Sequence, residues 1–479
     1  MMIKDVENSQ LVDNKIKIPT ELAHFLRQET YSLLIKGHTG TGKTTLALSI
    51  LKKLNMDMNG LYISTRVSPD QLFQYHTWIN GFFSQPKKTE PQMDIPENEQ
   101  NNHSTFVDAR LDEPVSLFER ITNELMDVRA PTIIIDSWDS IGVFMDKEAS
   151  MSNSKVLQTW RERAGAKLIF VTEHPEDRTL DFLADGIVEL RQKYYNERII
   201  REIVLSKLRG VRINKPSYIF SVDNGMFHSY DRYHPAEFPD SVHLLQPNDH
   251  AKKDLFKTKS HFTTGYHELD EMFGGGFPIG STVSVELGPH VNAMIALVFL
   301  GKIITNFVAS ENLLIFQPFE KIGRSIMTQY TKSHGLQNDL VKIINATPQS
   351  KKPTVLKEST DEQIDQIQQT IQKIKKKYQK KLLLTVLGPE ITDVFSKESD
   401  KLDLESLSFI KSNSDLSIFV SRRLPDNRHT HLSEIADIRL LIVEIDGTLC
   451  IQSETPWSHL YAISASPKKD HGISLDPIV

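Results

Sequence analysis

Cysteine is almost absent: the 479 residues carry only Cys450. A single thiol excludes an intramolecular disulfide and any cysteine-built zinc cluster, and it fits a reducing compartment. Long apolar runs are missing too, since none approaches the ~20 residues needed to span a bilayer. The first residues, Met-Met-Ile-Lys-Asp-Val-Glu-Asn, do not read as a signal peptide. The expectation is a soluble, cytoplasmic protein with no membrane partner. Nor is there an excess of positive charge. Lys and Arg number 56 against 62 Asp and Glu, for a net charge of −6, which argues against a constitutive nucleic-acid binder. What remains is an ordinary globular composition, 39% hydrophobic and 25% charged. The length suits about two to four domains.

One stretch organises the chain. Gly37, His38, Thr39, Gly40, Thr41, Gly42, Lys43, Thr44 and Thr45 contain the spacing G-x-x-x-x-G-K-T. The apolar run Tyr31 to Ile35 precedes it, and a helix-like run from Thr44 to Leu54 follows, which is the strand-loop-helix setting of a P-loop. Glycines let backbone N–H groups approach a phosphate, and the helix N-terminus adds partial positive charge. In this pattern Lys43 reaches the β- and γ-phosphates, and the Thr44 hydroxyl binds Mg²⁺. The expected ligands are ATP and Mg²⁺.

The rest of the first half alternates strands and helices. Gly60 to Ser64 reads as a strand, Pro69 to Phe83 as a helix, and 84–104 as a polar, disordered insertion. Pro131 to Asp139 holds a buried strand ending in aspartate, so Asp136 is the second Mg²⁺ residue, acting through water. Ala166 to His174 is another buried strand. Ala184 to Arg191 pairs with Ile199 to Lys207, and Tyr218 to Val222 reads as the last edge strand. The alternation gives a parallel α/β sheet.

These pieces resemble the KaiC-like branch of the RecA-type ATPases. The matching residues are Gly37–Thr44, Ile133–Ser137, the stretch Leu183 to Leu190, and the turn Lys207-Leu208-Arg209-Gly210. The resemblance implies that Lys207 and Arg209 act in trans, on a γ-phosphate held by a neighbouring subunit of a homo-oligomer. A solvated basic strand end is the plainer reading of the same two residues. Members of that branch carry a glutamate pair after the second strand to activate water. Here Thr65 and Arg66 stand at that exit, and the combination resembles the archaeal GvpD-type subgroup, named for regulators of gas-vesicle genes, over about residues 28–225. Losing a positioned base typically removes ~10²–10⁴-fold of rate, whereas binding does not need it. Glu173, Asp139 and Asp108 are the candidate substitutes. Arg66 is either a γ-phosphate sensor or a surface arginine.

The second half looks like a worn copy. Residues 232–261 read as a linker between an ATP-binding domain, 1–231, and a second domain, 262–479. Thr263 to Ser281 resembles the entry of a KaiC-like domain, followed by the strand Val283 to Leu287. The loop then has Ala293, Met294 and Ile295 where glycine, lysine and threonine belong, and Leu382 to Leu387 runs into Gly388 without an aspartate. No ordinary ATP site is expected here. Glu362 to Lys381 is a helix with an apolar face at Ile364, Ile367, Ile371 and Ile374.

The fold expected is therefore two tandem RecA/KaiC-like α/β domains, mainly parallel sheets flanked by helices, the second degenerate. The function expected is an ATP-binding regulatory switch that acts on a protein partner with little or no hydrolysis. The alternative is an active oligomeric ATPase completed by Lys207 and Arg209. A DNA recombinase fits the acidic charge poorly.

Overall fold

The computed structural model describes residues 15–53, 60–79, 83, 105–124, 130–142, 156–157, 159–234, 260–317, 339–344, 353–388, 401–423, 435–465 and 473–479. The insertion expected at 84–104 and most of the expected linker lie outside these residues. The chain divides into two compact units, Met1–Asp231 with Ile478–Val479, and Arg232–Pro477.

In the first unit the strands are β1 (Tyr31–Gly37), β2 (Gly60–Ser64), β3 (Thr105–Asp108), β4 (Thr132–Asp136), β5 (Lys167–Thr172), β6 (Gly186–Tyr195), β7 (Arg198–Leu208), β8 (Ser217–Ser221) and β9 (His228–Ser229). They form one sheet in the order β3-β2-β4-β5-β1-β6-β7-β8-β9. The pairings from β3 to β6 are parallel and the rest antiparallel. Strands buried on both faces read as continuous apolar runs, and β1 is buried at every position. Alternate residues serve opposite faces. Leu33 and Ile35 pack with the helix Lys43–Lys53 through Leu46, Ile50 and Leu51, while Leu34 packs with the helix Pro114–Glu124 through Leu117, Phe118 and Ile121.

The second unit opens with a short antiparallel pair, β10 (His261–Phe262) and β11 (Phe277–Pro278). Then follow β12 (Ser281–Leu287), β13 (Leu313–Phe316), β14 (Val341–Ile343), β15 (Leu383–Leu387), β16 (Leu416–Arg422), β17 (Ile438–Ile445), β18 (Thr448–Thr455), β19 (Leu460–Ala465) and β20 (Ile473–Ile478). Their order is β14-β13-β15-β16-β12-β17-β18-β19-β20. That is the first sheet repeated strand for strand, so the tandem mainly parallel α/β architecture is present in both halves. The helix Ala293–Ala309 covers one face, and Ile364, Ile367, Ile371 and Ile374 of the helix Pro353–Lys377 are buried on the other. Asp446 and Gly447, both at positive φ, turn β17 into β18.

Three expected elements differ. The helix expected over Glu362 to Lys381 runs Pro353–Lys377. The helix from Pro69 stops at Tyr75, and Thr77–Ile79 is a separate 3-10 turn. His76 between them leaves helical geometry at φ −124°, ψ 66°, where its Nδ1 lies 3.0 Å from the Gly225 carbonyl, which also accepts from Trp78 Nε1 at 2.8 Å. Two side chains anchored on one carbonyl outweigh continuation of the helix. The segment Tyr218–Val222 is also not the sheet edge, because His228 and Ser229 pair outside it.

Candidate functional site

In an open α/β sheet, ligands bind beyond the carboxyl ends of the parallel strands. The loop Gly37–Lys43 leaves β1 at that end. Gly40 and Gly42 sit at φ +81° and +98°, a region that disfavours side chains. A Cβ at Gly42 would also come within 3.0 Å of Val222 Cγ1, whereas one at Gly40 would meet nothing within 4 Å. The loop is therefore packed on its inner side and open at its crest. Thr41 braces it by donating to the His38 carbonyl at 2.8 Å.

Lys43 is 6% exposed, and its Nζ donates to the same His38 carbonyl at 2.8 Å, so the ammonium lies folded under the crest. Burial lowers its pKa, the charges of Asp136 and Asp139 oppose that effect, and Arg66 adds to it. Thr44 donates its hydroxyl to Asp136 Oδ2 at 2.6 Å, and Tyr62 donates to the same oxygen at 2.7 Å. The two residues expected around Mg²⁺ are thus in contact although 92 positions separate them. A hydroxyl and a carboxylate are hard oxygen donors, the set that suits Mg²⁺. Lys43, Thr44 and Asp136 therefore form a constellation able to hold a metal-bound polyphosphate. Thr45 is buried in the helix behind them.

The expected water-activating position is occupied differently. Thr65 is 8% exposed; its Oγ1 donates to the Ser137 carbonyl and accepts from the Ser137 amide, each at 2.8 Å. Arg66 forms an ion pair with Glu173. Among the candidate substitutes, Asp108 is gripped by Arg110 at 2.8 and 2.9 Å, which holds its carboxyl below the usual range. Asp139 accepts from the Glu173 amide at 2.6 Å, and burial raises its pKa.

Lys207 and Arg209 are not brought to this site. Lys207 pairs with Ile187, which is level with Leu34, the midpoint of β1 and three residues short of Gly37. Its Nζ donates to the Ala184 carbonyl at 2.6 Å. Arg209 donates to Asp185 at 2.8 Å and lines a cavity of about 280 Å³ with Ser32, Arg161 and Phe182.

The contact of Tyr62 with Asp136, the clasp of Thr65 on Ser137 and the link between Asp139 and Glu173 are not legible in the sequence. Tyr62 meets Asp136 because β2 and β4 pair in the register Tyr62↔Ile134 and Ser64↔Asp136. No local pattern announces that pairing.

The second unit keeps the frame without the chemistry. Asn292 caps its helix by accepting from the Met294 amide at 3.0 Å, so a side chain already takes a donor that would face phosphate. Arg422 donates to the Val291 carbonyl at 3.1 Å, and Met294 and Ile295 are buried. The registers of β15, β16 and β12 bring Gly388 to the place of Asp136. Among the described residues of the chain, no group of three or more His, Cys, Asp or Glu is placed to hold a metal, and no helix is long and apolar enough to cross a membrane.

Residues 22–206 match the family model described as GvpD gas vesicle protein, P-loop domain. Protein GvpD1 of Halobacterium salinarum is 28% identical over 349 residues, covering 69% of this chain and 60% of that protein. Protein GvpD2 of the same organism is 27% identical over 340 residues, 68% of this chain and 64% of its own. The circadian clock oscillator protein KaiC of Synechococcus elongatus is 24% identical over 339 residues, 67% of this chain and 60% of its own. The chain thus spans less than two thirds of the length of these relatives.

Proposed function

We propose that this chain, a member of the KaiC-like, GvpD-type P-loop family, is an ATP-binding regulatory switch with weak or absent hydrolysis. One observation carries the reading. Lys43, Thr44 and Asp136 converge in the first unit, while Met294, Ile295 and Gly388 hold the corresponding positions in the second. The first unit is then the nucleotide site, with Lys43 on the β- and γ-phosphates and Thr44 and Asp136 around Mg²⁺, Asp136 through water. Bound Mg²⁺ supplies charge neutralisation for the phosphates. The second unit serves contact with a protein partner. Thr65 is tied to Ser137 and offers no carboxylate to a water, which supports slow turnover.

The test measures Mg-ATP binding and phosphate release side by side on the full chain. Micromolar binding with near-background release supports the switch. Brisk turnover abolished by Lys43→Ala would sink it. The alternative, an oligomeric ATPase, draws on one observation: the Lys207 and Arg209 side chains bond to the Ala184 carbonyl and to Asp185, before β6, rather than to their own loop. Hydrolysis that rises steeply with protein concentration and is lost in Arg209→Ala would favour that reading.

A further inference from the structure

The ion pair between Arg66 and Glu173 crosses the sheet. Arg66 follows β2, Glu173 follows β5, and β4 lies between them. Adjacent strands are about 4.8 Å apart, so the pair bridges a gap of roughly two strand spacings over the end of β4, where Asp136 and Ser137 leave the sheet. Its two members are held unequally. The Glu173 backbone amide is fixed by Asp139. The loop beyond it is tied to β1 by Lys36, a 4% exposed lysine that donates to the Asp177 carbonyl at 2.6 Å and pairs with Asp181 at 2.6 Å. Arg66 has a long side chain that is half exposed, so it is the member free to move. Arg66 lies two residues past Ser64, which pairs with Asp136, so it leaves the sheet at the same carboxyl edge as the loop that carries Lys43.

A phosphate chain held by Lys43, with its metal at Asp136, would run toward this strap. The outermost phosphate would meet the Arg66 guanidinium, whose planar fork suits phosphate as well as carboxylate. We propose that Arg66 distinguishes a nucleoside triphosphate from a diphosphate in the first unit, by exchanging Glu173 for the terminal phosphate. This deepens the ATP-switch reading and rests on it. Glu173 is then a competitor: it holds Arg66 when the terminal phosphate is missing and releases it when that phosphate arrives. A diphosphate leaves the strap closed.

The two ends of the strap give effects of opposite sign. Calorimetric titration of the full chain with Mg-ATP and Mg-ADP reads both. Arg66→Ala should weaken ATP by about tenfold, the cost of one charged hydrogen bond, and leave ADP alone. Glu173→Gln removes the competitor and should tighten ATP by several-fold to about tenfold, again without moving ADP. An ATP-to-ADP affinity ratio unchanged in either variant would overturn the proposal, as would changes of the same sign in both. Equal weakening of ATP and ADP in Arg66→Ala would also overturn it, because general electrostatics predicts that result. Wild-type protein that binds neither nucleotide would overturn the ATP reading itself, and this inference with it.

Discussion

The buried ammonium of Lys43 makes a double prediction for Lys43→Ala. Without ligand, the ammonium is a desolvated charge whose pKa burial has lowered, and it donates to the His38 carbonyl of the loop. Truncation removes that charge, and the His38 carbonyl it leaves belongs to a residue whose side chain is largely exposed. The ligand-free variant should therefore melt no lower than wild type. With ligand, the same change removes a charge-assisted contact worth about 1.5–3 kcal/mol, a ~10–100-fold loss of affinity. Thermal unfolding converts this into a large signal. ATP at about 100 times its Kd stabilises the wild-type unit by about 2.7 kcal/mol, or roughly 5–10 °C for a unit of this size. After a 100-fold loss the same ATP concentration stabilises by only about 0.4 kcal/mol, a shift of roughly 1 °C. The assay is a melt followed by a probe in the first unit, with and without Mg-ATP. A variant that keeps the full ATP shift would refute Lys43 as a phosphate ligand. A ligand-free variant several degrees less stable would refute the account of its burial cost.

Asp136→Asn should cost about tenfold in nucleotide affinity with Mg²⁺ present and little in a chelator, as read by titration in the two buffers. Lys43 titrates below the ordinary lysine value of 10.5, so the unfolded chain binds more protons between the lowered value and 10.5. The ligand-free first unit should gain stability as pH rises through that window, and a pH series of denaturant melts on wild type and Lys43→Ala should show the gain only where the lysine is present. Phosphate raises the same pKa, so ATP binding in alkaline buffer should take up protons, read as a dependence of the calorimetric heat on buffer ionisation enthalpy. Ile371→Ala, at a fully buried position under the second sheet, should cost about 2–5 kcal/mol in unfolding of that unit. Met294→Lys should not confer a second nucleotide site, because Asn292 still caps the helix, Ile295 offers no oxygen and Gly388 no carboxylate; a stoichiometry of two by titration would contradict this.

What the sequence made legible was local. The glycine spacing of Gly37–Lys43 and the apolar strand before it mark a phosphate loop with no knowledge of the sheet. The isoleucines at 364, 367, 371 and 374 reveal their buried face by period alone. What stayed hidden depends on strand order. Asp136 meets Thr44 and Tyr62 only because β4 lies two strands from β1 and beside β2. Glu173 could be named as a candidate base but not placed. Its partner, Arg66, is 107 residues away and on the other side of β4. The break in the helix after Tyr75 was hidden for the same reason, since the carbonyl that draws His76 and Trp78 belongs to Gly225.

The repeat within the chain separates what the fold needs from what the ligand needs. At the amino ends of the central strands both units carry the same strut. In the first, the Asp185 carboxylate accepts from the Ser32 amide at 3.2 Å and from Arg161 at 2.9 Å, and the Asp185 amide donates back to the Ser32 carbonyl at 2.8 Å. In the second, Asp437 accepts from the Thr282 amide at 2.8 Å, faces Lys411 at 3.4 Å, and donates back to the Thr282 carbonyl at 2.9 Å. Each strut joins the central strand to the first strand that leads into the antiparallel edge, so it fixes a register that a one-residue slip would destroy. At the carboxyl ends of the same strands the units part: Lys43, Thr44 and Asp136 on one side, Met294, Ile295 and Gly388 on the other. A buried methionine and isoleucine stabilise the loop they sit in, whereas a buried lysine costs energy until an anion arrives. The first unit has kept the costly arrangement and the second has not. That contrast is the physical reason to look for nucleotide in the first unit alone, and to expect that replacing Asp185 damages folding whereas replacing Lys43 damages only binding.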